Sequence, residues 1–274
     1  MELITDFFVY LSMDFAIRAL TVGILLSVCA AILGVCLVPK RYSMLGDGLS
    51  HVGFGALAIA TVMGAAPLAV ALPVVIIASF LLLRLKDNGK IKGDSAIAMI
   101  SAGALAIGRM IVSLSGSNTD LDGYMFGSIL AITKTDFVTA MILFPIVIAV
   151  FIIFYTQIFA VCYDENFARA TGMKADFYDM LLAVLVAITI VIGMRMMGTL
   201  LISALIIFPS ISAMRVAKSY FSTVLCAVAV SVISFLLGFF MSYALSTPIG
   251  ASIVVCNMIS FFIMYAVGAF IKRK

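Results

Sequence analysis

Residues 46–51 read Gly-Asp-Gly-Leu-Ser-His. They set a carboxylate, Asp47, and the single histidine of the chain, His51, four residues apart within an apolar stretch. A spacing of i, i+4 puts both on one helix face. A carboxylate oxygen and an imidazole nitrogen together suit a borderline divalent cation such as zinc or manganese. Ionisable groups inside hydrocarbon usually face a cavity and serve a function. The alternative is a structural polar pair, hydrogen-bonded to backbone or to each other. Two ligands hold a metal weakly, which suits a conduit that an ion must also leave. Two copies of the chain about a two-fold axis would bring four ligands together. Protonating His51 would remove its lone pair, so such a site should weaken in acid.

Other metal-ligating side chains are scattered. Cys29, Cys36, Cys162, Cys226 and Cys256 contain no Cys-x-x-Cys pair and read as small buried apolar residues. Met194, Met196 and Met197 could offer thioether contacts, but gap-filling in an apolar interior is the simpler expectation.

These residues need a scaffold, and composition defines it. Apolar residues make up 65% of the chain and charged residues 11%. Soluble domains carry roughly 45–50% and about 25%. The fold class expected is therefore all-α, a polytopic membrane protein of eight to nine transmembrane helices in one transmembrane domain, residues 1–274. Glu2, Asp6 and the lack of a basic leader argue against a cleavable signal peptide. Spans are expected at about 15–38, 42–63, 65–83, 95–114, 136–159, 180–194, 199–213, 221–245 and 250–271. The histidine falls near the middle of the second. The seventh is short enough that independent crossing is open. Gly46 and Ser50, with Ala56, Ala60 and Gly64, give the second span small-residue packing faces.

Basic residues set the orientation. With the N-terminus outside, the inner loops hold Lys40, Arg41, Arg84, Lys86, Lys90, Lys92, Arg169, Lys174, Arg215, Lys218, Lys272, Arg273 and Lys274, which is 13 of the 17 Lys and Arg residues. Arg18, Arg109, Lys134 and Arg195 remain for the outer half. This fits nine crossings with the C-terminus in the cytosol. The net charge of +4 is a topology signal and does not point to nucleic acid, since no basic stripe stands on a soluble domain.

Residues 163–174 form a second informative stretch. Asp164 can cap a short helix with acids in its first turn, and Gly172 can end it. Phe167, Ala168 and Ala170 give that helix a compact, partly apolar surface. It is expected to be either a docking knob for a cytosolic partner or an ordinary loop helix.

Five blocks in order, at residues 18–20, 44–52, 124–130, 164–172 and 198–209, resemble the zinc/manganese/iron ABC transporter permeases, the membrane subunits of bacterial metal importers. The likeness runs from about residue 15 to 270. It implies the ABC importer permease fold in the bacterial cytoplasmic membrane. It also implies a homodimer with cytosolic ATP-binding subunits and an extracytoplasmic metal-binding protein as partners. No permanently bound cofactor is implied, only the transported ion, Zn2+ or else Mn2+ or Fe2+. Asp47 and His51 take the place of the family's pathway ligands. Asp164, Glu165, Phe167, Ala168, Arg169, Ala170 and Gly172 take that of its ATPase-coupling segment. Gly48 after Asp47, and residues 52–55 after His51, lean toward the zinc branch. Asp120 and Asp122 are candidates for docking the external protein.

The chain has no Gly-x-x-x-x-Gly-Lys-Ser/Thr phosphate loop, so any ATP hydrolysis belongs to another chain. An ATP-independent secondary metal transporter is the alternative, although such carriers usually need more buried ionisable residues. An intramembrane enzyme is disfavoured: one histidine excludes His-Glu-x-x-His, and Met44 stands where a Gly-x-Gly-Asp motif needs glycine.

Overall fold

The computed structural model describes residues 10, 13–40, 42, 44–87, 93–115 and 132–272. Among the described residues the regular structure is entirely helical. The helices are α1 Asp14–Leu37, α2 Leu45–Val62, α3 Pro67–Asp87, α4 Gly93–Ser115, α5 Lys134–Ile153, α6 Tyr155–Tyr163, α7 Glu165–Ala170, α8 Ala175–Met197, α9 Thr199–Val216, α10 Tyr220–Leu245 and α11 Ile249–Lys272. Eight are long and apolar enough to cross a membrane, and the apolar part of α3, Pro67–Leu82, is shorter. In a medium without water each backbone N–H and C=O must bond within its own segment, which favours helices over every open alternative.

Local chemistry fixes several boundaries. The Thr133 hydroxyl accepts from the Asp136 N–H to start α5, and Ser219 does the same for α10 through the Ser222 N–H. The span expected at 136–159 is broken: Phe154 leaves the helical region with φ −100° and ψ 19°, separating α5 from α6. The span expected at 180–194 starts earlier, at Ala175, because acids at its head act as a polar first turn. The short seventh segment is a full helix of 18 residues, Thr199–Val216. Gly64 is not a packing residue. It takes φ +65° in the turn after α2, with no atom within 4 Å of a Cβ placed there.

Helices α1, α2 and α8 form the interior, each with 72% of its span buried, whereas α4 and α11 have 17% and 22%. Close backbone approaches hold this interior. A Cβ on Gly34 of α1 would fall 2.1 Å from the Ile206 carbonyl oxygen of α9, and one on Gly238 of α10 would fall 2.4 Å from the Ile253 Cα of α11. Apolar lipid gives helices little hydrophobic reason to associate, so such contacts, with buried interhelical hydrogen bonds, carry the assembly. Ser231 Oγ donates to the Ser27 carbonyl at 3.0 Å, and Ser234 and Ser260 share a hydrogen bond of 2.8 Å.

Ion pairs mark the two ends of the bundle. Lys40, between α1 and α2, pairs with Asp179 at the head of α8 and with Glu165 of α7. Near the other end of α8, Arg195 pairs with Asp136 of α5 at 3.1 Å. The first pair brings the basic connections holding Lys40, Arg169 and Lys174 to one end, as the charge distribution predicts. Arg41, Lys90, Lys92, Arg273 and Lys274 lie outside the described residues.

Gly34→Ala should lower the thermal midpoint of the detergent-solubilised protein by several degrees, an overpacking cost on the order of 1–3 kcal/mol. Gly46→Ala, whose added Cβ meets only the flexible end of the Ile206 side chain at 3.1 Å, should cost much less. Equal midpoints for the two variants would contradict the packing account.

Candidate functional site

Asp47 lies in the first turn of α2 and His51 one turn later. The pair therefore stands nearer the start of the helix than the mid-span position expected. A carboxylate there is favoured by the exposed N–H groups of the first turn. Ser50 Oγ donates to the Asp47 carbonyl at 2.7 Å.

The two side chains are close without satisfying each other. His51 Nε2 stands 3.6 Å from Asp47 Oδ2, beyond hydrogen-bond length. His51 Nδ1 is buried with no hydrogen-bond partner among the described residues. The Asp47 side chain is 43% exposed and that of His51 19%. Both face an open cleft of about 340 Å3, completed by Met44 and by Ile97, Ala98, Ser101, Ala102 and Leu105 of α4. Ser101 supplies the only side-chain polarity from α4 in that lining.

Glycines determine how α4 approaches. A Cβ on Gly48 would lie 2.4 Å from Ile97 Cγ2, one on Gly55 would lie 2.7 Å from the Ala104 carbonyl oxygen, and one on Gly108 would lie 2.8 Å from the Gly55 Cα. Backbone-to-backbone contact at Gly55 and Gly108 clamps the helices together. Nearer the start of α2, Asp47 and His51 are left at the mouth of the cleft.

The spacing suits one shared cation. Zinc bonds of about 2.0–2.2 Å from both atoms, at the observed separation, would subtend an angle on the order of 120°, close to tetrahedral. No cluster of three or more metal-ligating side chains occurs among the described residues. The described residues of one copy thus offer two ligands. The bland expectation for the methionines holds, since Met194, Met196 and Met197 are buried in the core.

The short helix at the other predicted site forms as its sequence suggests. Asp164 caps α7, its carboxylate accepting from the Phe167 N–H at 2.9 Å. Arg169 reaches Glu165 at 2.9 Å and Asp176 at 2.6 Å. Hydrogen bonding to Glu165, and then to Asp176, raises the already high pKa of that guanidinium. Ala168 is buried against Val161 and Ala175. Gly172 takes φ +83° just past the helix. Ala170 is exposed, and Phe167 projects outward with 62% of its surface free. The result is a braced knob with an aromatic tip.

Lys40 and Asp179 escaped the sequence reading. Lys40 counted only as a topology charge, and no local pattern announces a partner 139 residues away. Asp120, Asp122 and the block at 124–130 lie outside the described residues.

The sequence pattern of the ABC 3 transport family matches residues 12–268. The manganese import system permease protein ScaB of Streptococcus gordonii is 31% identical over 260 residues, covering 94% of both chains. The high-affinity zinc uptake system membrane protein ZnuB of Haemophilus influenzae is 30% identical, covering 89% of this chain and 94% of its own. Among solved structures, PsaBC from Streptococcus pneumoniae in complex with Fab superposes with a TM-score of 0.86 at 30% identity, covering 96% of this chain and 95% of the matched one.

Loss of an N-cap costs about 1 kcal/mol. Asp164→Ala should therefore raise amide hydrogen exchange across 165–170 roughly fivefold. Unchanged exchange would show that the cap does not hold α7 in place.

Proposed function

The chain belongs to the ABC 3 transport family, and from that premise we propose that it carries zinc into the bacterial cytoplasm by ATP-driven alternating access. It is the membrane permease of an ABC-type metal importer and not an enzyme. Asp47 and His51 are the proposed pathway ligands. The observation that carries this is their mutual arrangement: close enough to share one cation, too far apart to bond each other, and open to a cleft.

The cleft also supports a homodimer. Asp47 is substantially exposed on a bundle whose α4 face presents Met99, Ile107, Met110 and Leu114 outward. A carboxylate facing lipid is costly, up to about 2.5–3.5 kcal/mol where it reaches a helix centre. A second copy placed against α4 would remove that exposure and offer two carboxylates and two imidazoles to the ion. Such a seam replaces part of the hydration shell of the cation without trapping it.

In this reading an extracytoplasmic metal-binding protein delivers the ion from outside. Two cytosolic ATP-binding subunits grip α7 and the exposed Phe167. Their closure re-orients the dimer around the Asp47/His51 seam. The end of the bundle carrying α7 and Lys40 then faces the cytosol, as does the C-terminus. Gly48 and residues 52–55 favour zinc. Manganese is the second reading, supported by the resemblance to ScaB.

Uptake into vesicles holding the permease and its ATPase checks this directly. Wild-type protein should accumulate zinc only with ATP. Asp47→Ala and His51→Ala should each lower uptake at least about tenfold with ATPase binding intact, on the scale of lost metal-site interactions. Normal uptake in both variants would end the ligand assignment, ATP-independent uptake would favour a secondary carrier, and preference for manganese in competition would move the metal. Burying a phenylalanine is worth about 1.5–3 kcal/mol, so Phe167→Asp should weaken ATPase association by roughly tenfold or more. Unchanged co-purification would remove α7 from the interface.

A further inference from the structure

We propose that Lys40 is the positioning residue that passes movement of α7 to the metal-site helix α2, an inference that rests on α7 being the ATPase contact. Lys40 stands in the connection between α1 and α2, with only 6% of its side chain exposed. Its ammonium pairs with Asp179 near the head of α8 and lies 3.7 Å from Glu165 Oε2 of α7. The other oxygen of Glu165 is taken by Arg169. One buried cation therefore joins three elements: the docking helix, the helix that follows it, and the stem of the helix carrying Asp47 and His51.

The physical case is that such a link resists being broken. A buried charge without its partner is strongly destabilising, so α7, α8 and the α1–α2 connection are held as a set. The described residues on either side are tied by backbone hydrogen bonds. The Tyr42 N–H bonds the Leu37 carbonyl, the Leu45 N–H bonds the Tyr42 carbonyl, and the Gly48 N–H bonds the Met44 carbonyl, each at 2.9 Å. Tyr42 is buried. Lys40 is seven residues from Asp47, a chain reach of at most roughly 25 Å even when extended. A pull on Glu165 reaches the metal ligands through Lys40 and two hydrogen-bonded turns.

The test uses the whole permease–ATPase complex in proteoliposomes, with zinc as the probe. Lys40→Met removes the charge, Lys40→Arg keeps it, and Lys40→Gln removes it while keeping a hydrogen-bond donor for the two carboxylates. ATPase co-purification, ATP hydrolysis and zinc uptake are measured together. Lys40→Met and Lys40→Gln should retain the ATPase and its hydrolysis, while uptake per ATP falls roughly tenfold, within the usual range of coupling energies. Lys40→Arg should restore most of the ratio. A merely structural role would instead lower assembly and hydrolysis together with uptake. If Lys40→Met does not assemble, Lys40→Gln decides alone. A wild-type ratio in the assembled charge-free variant overturns the link, as does loss of the ATPase from it. Absence of ATP-driven uptake in the wild type would overturn the transport reading and the link with it.

Discussion

A carboxylate and an imidazole held in an apolar bundle without answering each other is the constraint from which the rest follows. Had Asp47 and His51 formed a good hydrogen bond, they would be a satisfied polar pair with nothing left to offer a ligand. At 3.6 Å they do not bond each other, and both line one cleft. Hydrocarbon makes that state costly, so a transiting cation and a second protein surface are its natural complements. The proposed site is weak by construction, because the described residues of one chain bring two ligands and a transporter must let go of its cargo.

Packing creates the conditions for this pair. The α2 and α4 backbones meet at Gly55 and Gly108, where no side chain larger than hydrogen fits. That contact fixes the crossing and leaves the Asp47/His51 end open. On its opposite side α2 leans on α8, where a Cβ on Gly53 would lie 2.5 Å from Met194 Cε. Helix α8 is clamped at both ends by ion pairs, Lys40–Asp179 and Arg195–Asp136. Helix α2 is therefore seated against a fixed strut on one face and a cleft on the other.

Much of this was legible from composition and periodicity. Long apolar runs locate the spans because lipid leaves the backbone few choices. The i, i+4 pair and the Asp164 cap depend on local geometry, and both stand where their spacing puts them. What escaped depends on tertiary context. The break at Phe154 has no proline or glycine between Pro145 and Tyr163 to announce it. The head of α8 carries Asp176 and Asp179, so hydropathy starts that helix late. Gly64 reads as one more small residue until its positive φ shows it to be a turn. The Lys40 pairing joins residues distant in the chain, and only the fold brings them together.

Zinc-edge X-ray absorption on the zinc-loaded permease–ATPase complex tests the central claim most directly. The account predicts a first shell of nitrogen and oxygen only, at about 2.0–2.2 Å, with imidazole scattering that disappears in His51→Ala. A sulfur shell near 2.3 Å, or a spectrum unchanged by that substitution, would place the ion elsewhere and contradict it.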